Sequence, residues 1–308
     1  MTTATSHSGT TPTAAGNASL PQRTLLGAVS RPENLVKAGL LAGVFGAYFW
    51  NWLRTQARHS AGDSNWSHSF FVPLISGYLI WQAREAMMKE RVGAYWPGLA
   101  PMLLGVVSYP FFVVGIPNHM AQGYAMILTL FGMVLVLLGP GMMRHLFLPI
   151  AYLVFMVTIS EKILQVITTR LQQWAAIGGD VLLQIVGVNV KRSGVTLDIV
   201  DSTGATHSLD VAQTCAGMSM VIAFIALGAA VALVGCRYWW QRVVLVLLAM
   251  PVAVLLNVAR IAVLGMLTLW DPDLATGQAH TLIGTLLLIP GFLVYMGIVW
   301  ALNRAVRE

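Results

Sequence analysis

Cys215 is the residue in this sequence best placed to act as a nucleophile. It lies where a polar stretch gives way to an apolar one, in the run Val-Ala-Gln-Thr-Cys215-Ala216-Gly217. This spacing puts the thiol at the start of a helix, where free N–H groups and the helix dipole favour the reactive thiolate. The small neighbours Ala216 and Gly217 leave the sulfur accessible. The alternative is an inert cysteine packed as a small hydrophobic residue.

A cation and an imidazole follow in the next two apolar segments. Arg260 lies inside an apolar run, with Asn257 about one helical turn earlier on the same face. A cation inside a membrane span costs upward of about 3 kcal/mol, so Arg260 is a candidate functional residue. Otherwise it is an arginine that snorkels to the surface or binds backbone carbonyls. His280 begins the following segment, where it is either a catalytic imidazole or an ordinary interfacial histidine.

Together these three groups are the parts of acyl transfer through a thiol: a nucleophile, an oxyanion stabiliser and a general acid/base. Cys236 lies beside Arg237 at the other end of the segment that Cys215 begins, and we interpret it as structural. A helix separates the two thiols by roughly 30 Å, which is too far for a disulfide. No Cys/His spacing typical of a metal site occurs, and no cofactor is expected.

A second polar spot precedes another apolar segment, in the run Trp66-Ser67-His68. This run either lines the site or forms an interfacial loop. Its tryptophan and its mixed polarity are typical of an interfacial loop. His119 and His145 are expected on opposite sides of a membrane and receive no role. The residues expected to line the site around Cys215, Arg260 and His280 are Asn257, His68, Ser67, Thr214, Ala216 and Gly217.

The composition indicates a membrane protein. Of the 308 residues, 57% are hydrophobic and only 10% are charged, whereas soluble domains carry about 25% charged residues. The net charge of +6 comes from basic residues scattered between apolar runs, which favours membrane orientation over nucleic-acid binding. We therefore predict an all-α polytopic protein of about eight transmembrane helices, near 36–54, 69–83, 97–115, 121–139, 143–160, 212–235, 243–269 and 280–301.

The distribution of Lys and Arg predicts the orientation. With the N-terminus inside, most basic residues of the short loops fall on the inside, so we expect both termini in the cytoplasm and the chain in the inner membrane. Residues 1–34 are rich in Thr, Ser, Ala and Gly and lack the apolar core of a signal peptide. We expect them to form a disordered cytoplasmic tail, followed by a transmembrane domain over 35–308.

Residues 161–211 form the largest region expected outside the membrane, on the outer face. Apolar residues at helical spacing in its first part predict an amphipathic helix on the outer surface, with a break at Gly178-Gly179. Alternating residues in its second part predict a β-hairpin around Asp201-Ser-Thr-Gly204. This hairpin delivers the chain to Cys215.

The sequence resembles the exosortase/archaeosortase family over about residues 36–303. Each motif is short, but their order along the predicted spans is specific. The matching motifs are Trp-Ser-His at 66–68 followed by Val72-Pro73, Leu-Pro-Ile-Ala-Tyr-Leu at 148–153, Cys-Ala-Gly at 215–217, Asn-Val-Ala-Arg at 257–260, and His280 followed by Gly284.

The resemblance implies a membrane cysteine protease/transpeptidase. Its substrates would be exported proteins with a PEP-CTERM-like C-terminal sorting signal, which consists of a short motif, a hydrophobic span and a basic tail. The resemblance implies that Cys215 forms a thioester with the substrate and that Arg260 stabilises the oxyanion or orients the thiolate. It implies that His280 protonates the leaving amine and later activates an acceptor, on the periplasmic side.

Three other functions fit parts of the pattern. A small transporter or permease would use Arg260 as an anion site, and internal repeats or broken helices would support it; no repeat is found. A haem-binding anchor needs axial ligands at comparable depth, but the histidines lie at segment ends on both sides. A non-catalytic assembly factor would be distinguished by its indifference to the loss of Cys215.

Overall fold

A computed structural model describes residues 23–24, 27, 32–201, 204–211, 217–236, 238–270, 286 and 288–305. Helices dominate these residues. They are α1 (Pro32–Tyr48), α2 (Trp50–Gly62), α3 (Phe71–Lys89), α4 (Leu99–Pro110), α5 (His119–Tyr152), α6 (Glu161–Ile185), α7 (Gly217–Gly235), α8 (Trp239–Thr268) and α9 (Leu288–Ala305). Shorter 3₁₀ segments cover Ser64–Phe70, Trp96–Gly98 and Leu153–Met156, and a π segment covers Phe111–Gly115.

Several helices are apolar enough to cross a membrane. Among the described residues, Trp96–Gly115, His119–Met156 and Trp239–Thr268 have both the length and the hydropathy of membrane spans. Val221–Gly235 and Ile289–Ala305 are shorter apolar helices. These helices confirm the predicted all-α membrane protein.

Helix α5 consists of two antiparallel halves rather than one long rod. Gly139 has a positive φ of 82°, a left-handed conformation that glycine adopts without steric cost. The rings of Phe131 and Phe147 lie 6.3 Å apart, whereas a straight helix would separate these positions by roughly 24 Å. The chain therefore reverses at Gly139, between the two apolar segments that the sequence distinguishes here.

Strands form two small antiparallel sheets. One pairs β1 (Arg23–Thr24) with β2 (Arg91–Val92). The other has the order β3-β4-β5, formed by Asn189–Ser193, Thr196–Val200 and Thr206–Asp210. The pair β4–β5 is the hairpin that the sequence predicts. Strand β3 was not predicted, because only one of its five residues is buried and no alternation of polarity marks it.

Helix α6 is continuous, so the predicted break at Gly178-Gly179 is wrong. The two glycines instead allow α6 to pack closely against α8. A Cβ atom on Gly178 would lie 2.6 Å from Val258 Cγ2, and one on Gly179 would lie 2.5 Å from Ile261 Cγ2. Both distances are shorter than real Cβ contacts, so the absent side chains set the separation of the helices.

The opposite face of α6 retains the predicted apolar stripe. Ile163, Ile167, Trp174 and Val181 are each at least 40% exposed. Ala175 and Ala176, in contrast, are fully buried. The helix thus buries these small residues and leaves the four large apolar side chains exposed, where a bilayer surface can receive them.

Helices α7, α8 and α9 share one core. The hydroxyl of Tyr295 on α9 donates to the backbone oxygen of Leu245 at 2.7 Å and lies 3.2 Å from that of Gly228. Tyr295 is 1% exposed, and the oxygens that it contacts belong to α8 and α7. A single buried hydroxyl therefore joins three helices.

The bundle has two ends that differ in their polar groups. We name them after their sheets: the three-strand end, where β4 and β5 pack against the last turns of α8, and the two-strand end, where β1 pairs with β2. At the two-strand end, His145 Nε2 lies 3.6 Å from Glu90 Oε2.

Apart from Arg23–Thr24, residue 27 and 32–34, the predicted tail of residues 1–34 lies outside the described residues.

Candidate active site

Arg260 is buried deep in the described structure. It is 3% exposed on α8, and Asn257, one helical turn earlier, is 5% exposed. The Oδ1 atom of Asn257 is buried and accepts no hydrogen bond from any described residue. Removing a guanidinium from water is costly. Asn257 and Arg260 are nevertheless the two buried polar residues of the apolar middle of α8, between Val243 and Leu267.

Three elements surround the segment of α8 that carries Arg260. Helices α6 and α7 both contact α8, and the glycine pair of α6 lies against Val258 and Ile261. On the side of the sheet, Ile261 and Leu197 are fully buried in one cluster. Arg260 therefore lies between the apolar core of the bundle and the small sheet at the three-strand end.

The chain passes this same layer on its way to Cys215. After β5, the fully buried Val211 belongs to the cluster that contains Ile261, and its N–H donates to the oxygen of Val195 at 3.1 Å. The chain is described again from Gly217, the first residue of α7. Of the predicted site residues, Thr214, Cys215, Ala216 and His280 lie outside the described residues.

The Trp66-Ser67-His68 run lies in a segment that packs against α7. The 3₁₀ segment that carries it contacts α7, the helix that begins two residues after Cys215. Trp66 is 5% exposed, its ring lies 6.0 Å from that of His68, and both ring nitrogens of His68 are buried. Two of the predicted site elements, this run and α7, are therefore in contact.

A polar cavity that the sequence did not reveal adjoins this run. It has a volume of about 420 Å³, and Trp66, His59, His119 and Lys162 are among its lining residues. Sequence reasoning gave His119 no role and ended the first apolar segment at residue 54. The available signal was the polar series Gln56, His59 and Ser60, which shares one face of α2.

Hydrogen bonds hold the floor of this cavity in place. His119 Nε2 lies 3.0 Å from Gln56 Oε1, and Trp52 Nε1 donates to the backbone oxygen of His119 at 2.9 Å. The rings of Trp52 and His119 also stack, with centroids 5.3 Å apart. Within the described residues, no group of three or more His, Cys, Asp or Glu side chains could hold a metal ion.

Cys236 has the surroundings of a structural thiol. It is 4% exposed and lies just beyond the end of α7, beside Arg242, whose Nε donates to its backbone oxygen at 3.1 Å. Burial raises the pKa of the Cys236 thiol, and the Arg242 charge opposes this only in part. The thiolate is therefore disfavoured at this position.

Comparison with known proteins identifies the family. A family model described as transmembrane exosortase matches residues 52–301, which is most of the chain and includes the Cys215, Arg260 and His280 positions. The comparisons with curated proteins and with solved structures give no match. The extent of the family match shows that this chain belongs to the transmembrane exosortase family.

Proposed function

We propose that this protein is a membrane cysteine protease/transpeptidase that cleaves exported proteins at a C-terminal sorting signal. The observation that carries the proposal is the burial of Arg260 and Asn257 on α8, next to α7, which begins two residues after Cys215. Membership in the exosortase family supports processing of exported proteins as the general role. A buried cation on the helix that packs against α7 suits the stabilisation of negative charge that develops during acyl transfer.

In the proposed reaction, the thiolate of Cys215 attacks the carbonyl carbon of the scissile peptide bond. The resulting oxyanion is stabilised by the Arg260 guanidinium. The C–N bond then breaks as His280 transfers a proton to the leaving amine, and the substrate remains as a thioester on Cys215. Water or an acceptor amine next attacks the thioester, His280 removes its proton, and the thiolate is regenerated.

The surroundings of Arg260 suit this role. Charge interactions are stronger where water is excluded, so a preorganised guanidinium in an apolar bundle stabilises an oxyanion more than an exposed one would. We assign Asn257 as a positioning residue, because its buried Oδ1 lies one turn from Arg260 on the same helix. His68, Ser67, Thr214, Ala216 and Gly217 are proposed to line the site.

The proposed orientation places the three-strand end on the periplasmic side of the inner membrane. About eight crossings, both termini in the cytoplasm, and a cytoplasmic tail over residues 1–34 complete the proposal. Two features support it: basic residues Arg84, Arg91 and Arg144 occur near the two-strand end, as expected for a cytoplasmic face, and the sheet precedes Cys215 in the chain.

The test is the processing of a co-expressed candidate substrate, read as a size shift on a gel. We compare wild type with Cys215→Ala, Arg260→Ala and His280→Ala, and we use Cys236→Ala as the matched thiol control. The proposal expects no cleavage without Cys215, a loss of about 10²–10³-fold without Arg260, a strong loss without His280, and wild-type cleavage in the control.

Wild-type cleavage by Cys215→Ala would exclude the thiol mechanism. Suppose that all three site variants reach the membrane in wild-type amounts and that only cells with Arg260→Ala differ from wild-type cells. A transporter with an anion site then becomes the better explanation. Amounts of each variant are measured by detergent extraction and size-exclusion chromatography, which separates loss of chemistry from loss of folding.

A further inference from the structure

Two cavities of different chemistry join on the side of the bundle formed by α3, α7 and α9. One is an apolar groove of about 520 Å³, and the other is a polar pocket of about 480 Å³ at the two-strand end. Val234 and Gly235 line both of them. We propose that an anionic phospholipid binds here, with an acyl chain in the groove and its phosphate in the pocket.

The groove has the form of a site for one hydrocarbon chain. It is lined by Leu74 and Tyr78 of α3, Leu227 of α7, and Phe292 and Met296 of α9, with almost no polar surface. Along α7, its lining runs from residue 227 to residue 235, which is roughly 12 Å of helix. One leaflet of a bilayer contains about 15 Å of hydrocarbon, so the groove has nearly the length of a leaflet.

The pocket at the end of the groove carries positive charge. Arg144, Arg242, His145 and Gln82 line it. Arg144 is exposed and has no hydrogen-bond or ion-pair partner among the described residues. Guanidinium groups bind phosphate through paired N–H donors, and basic pockets between transmembrane helices are known sites for anionic lipid headgroups.

The charged groups near the pocket do not cancel its preference for a phosphate. The Arg242 side chain donates through Nε to the backbone oxygen of Cys236 and to no other described residue. Glu90 lies 3.6 Å from His145 and is not part of the lining. A peptide span followed by a basic tail would bring like charges into this pocket, so an anionic lipid is the occupant that its charge favours.

Retention of lipid by the purified full-length protein tests the proposal. We add phosphatidylglycerol or phosphatidylcholine to protein in detergent and measure bound lipid by native mass spectrometry. Arg144→Gln and Arg242→Gln test the pocket, with Arg84→Gln as the matched control, because Arg84 lies over Trp81 outside the pocket. Each pocket variant should weaken phosphatidylglycerol binding about fivefold, the effect of one arginine at an anionic surface, and the control should not.

A second pair of variants tests the groove. Leu227→Trp should fill the groove and reduce phosphatidylglycerol binding, whereas Leu247→Trp, on an exposed face of α8, should not. Equal binding of both lipids by wild type would overturn the proposal. It would also be overturned if Arg84→Gln weakened binding as much as Arg144→Gln, if Leu227→Trp bound normally, or if glycerol 1-phosphate bound as tightly as the lipid. The proposal does not depend on catalysis, because no residue assigned to the reaction takes part in it.

Discussion

A methyl group added at Gly179 should disturb Arg260 without touching it. The new Cβ atom would lie 2.5 Å from Ile261 Cγ2, whereas carbon atoms in contact are ordinarily 3.5–4.0 Å apart. Either α6 and α8 separate locally by about 1 Å or Ile261 changes its position. Because Ile261 directly follows Arg260 in the chain, both adjustments change the position of the guanidinium.

The expected effects on stability and on rate differ in size. Overpacking costs about 1–3 kcal/mol, and replacing glycine by alanine within a helix returns about 1 kcal/mol. The free energy of unfolding of Gly179→Ala should therefore fall by about 0–2 kcal/mol. A displacement of about 1 Å in a catalytic group can reduce the rate about 10²-fold, so substrate processing should suffer far more than folding.

The assay compares processing rate and thermal unfolding for Gly179→Ala and a matched control, Gly77→Ala. Gly77 also lies within a helix, but a Cβ there meets no atom within 4 Å. The control should unfold at the same or a higher temperature and process substrate at the wild-type rate. Ile261→Ala in the Gly179→Ala background removes the Cγ2 atom at 2.5 Å and leaves the Cβ atom at 3.2 Å. It should therefore restore part of the lost rate, measured as a double-mutant coupling.

Gly179→Ala with wild-type processing and raised stability would refute this reasoning. That result would mean that the α6–α8 contact does not determine where Arg260 lies. A loss of rate in Gly77→Ala as large as in Gly179→Ala would also refute it, because the effect would then be a general consequence of helix glycines.

Three further predictions test separate parts of the account. Burial raises the pKa of the Cys236 thiol above its usual range. In Cys215→Ala, where Cys236 is the only cysteine, alkylation by iodoacetamide should therefore be slow at neutral pH and accelerate as the pH rises; fast labelling at pH 7 would contradict its burial. The stability that this thiol contributes is present below its unfolded pKa and is lost as the pH rises from there through the folded pKa. Tyr295→Phe removes the hydroxyl that donates to Leu245 and should lower the free energy of unfolding by about 1–2 kcal/mol while substrate is still processed, as urea unfolding and the gel assay measure. In a cysteine-free background, an impermeant maleimide added outside the cell should label Ser208→Cys on the sheet and leave Glu85→Cys unlabelled, and the reverse would invert the proposed orientation.

The sequence predicts most of the architecture through hydropathy. Apolar runs of spanning length dictate helices regardless of their packing partners, so α4, α5 and α8 could be recognised directly. The hairpin of β4 and β5 was predictable because one face alternates with Leu197, Ile199 and Leu209, all nearly fully buried.

Other features depend on partners distant in the chain. Gly178-Gly179 has the composition of a helix break, and only the position of α8 reveals that the glycines allow close packing instead. The polar cavity formed by α2, the start of α5 and the start of α6 was missed for the same reason: Gln56 and His119 are 63 residues apart and become a pair only through folding. Arg260 could be recognised as a candidate because charges are rare in apolar runs, whereas the sequence left open whether it snorkels to the surface, and the structure shows that it is buried.

The most direct test of the central claim is a search for the thioester on Cys215. The protein is purified from cells that co-express a substrate, digested, and analysed by mass spectrometry before and after treatment with hydroxylamine, which cleaves thioesters. We predict a substrate-derived acyl group on the peptide that contains Cys215, and we expect hydroxylamine to remove it. The acyl group should be more abundant in His280→Ala if that variant still forms the thioester but cannot transfer it. An acyl group on Cys236, or none on Cys215 while substrate is cleaved by the purified protein at the wild-type rate, would contradict the claim.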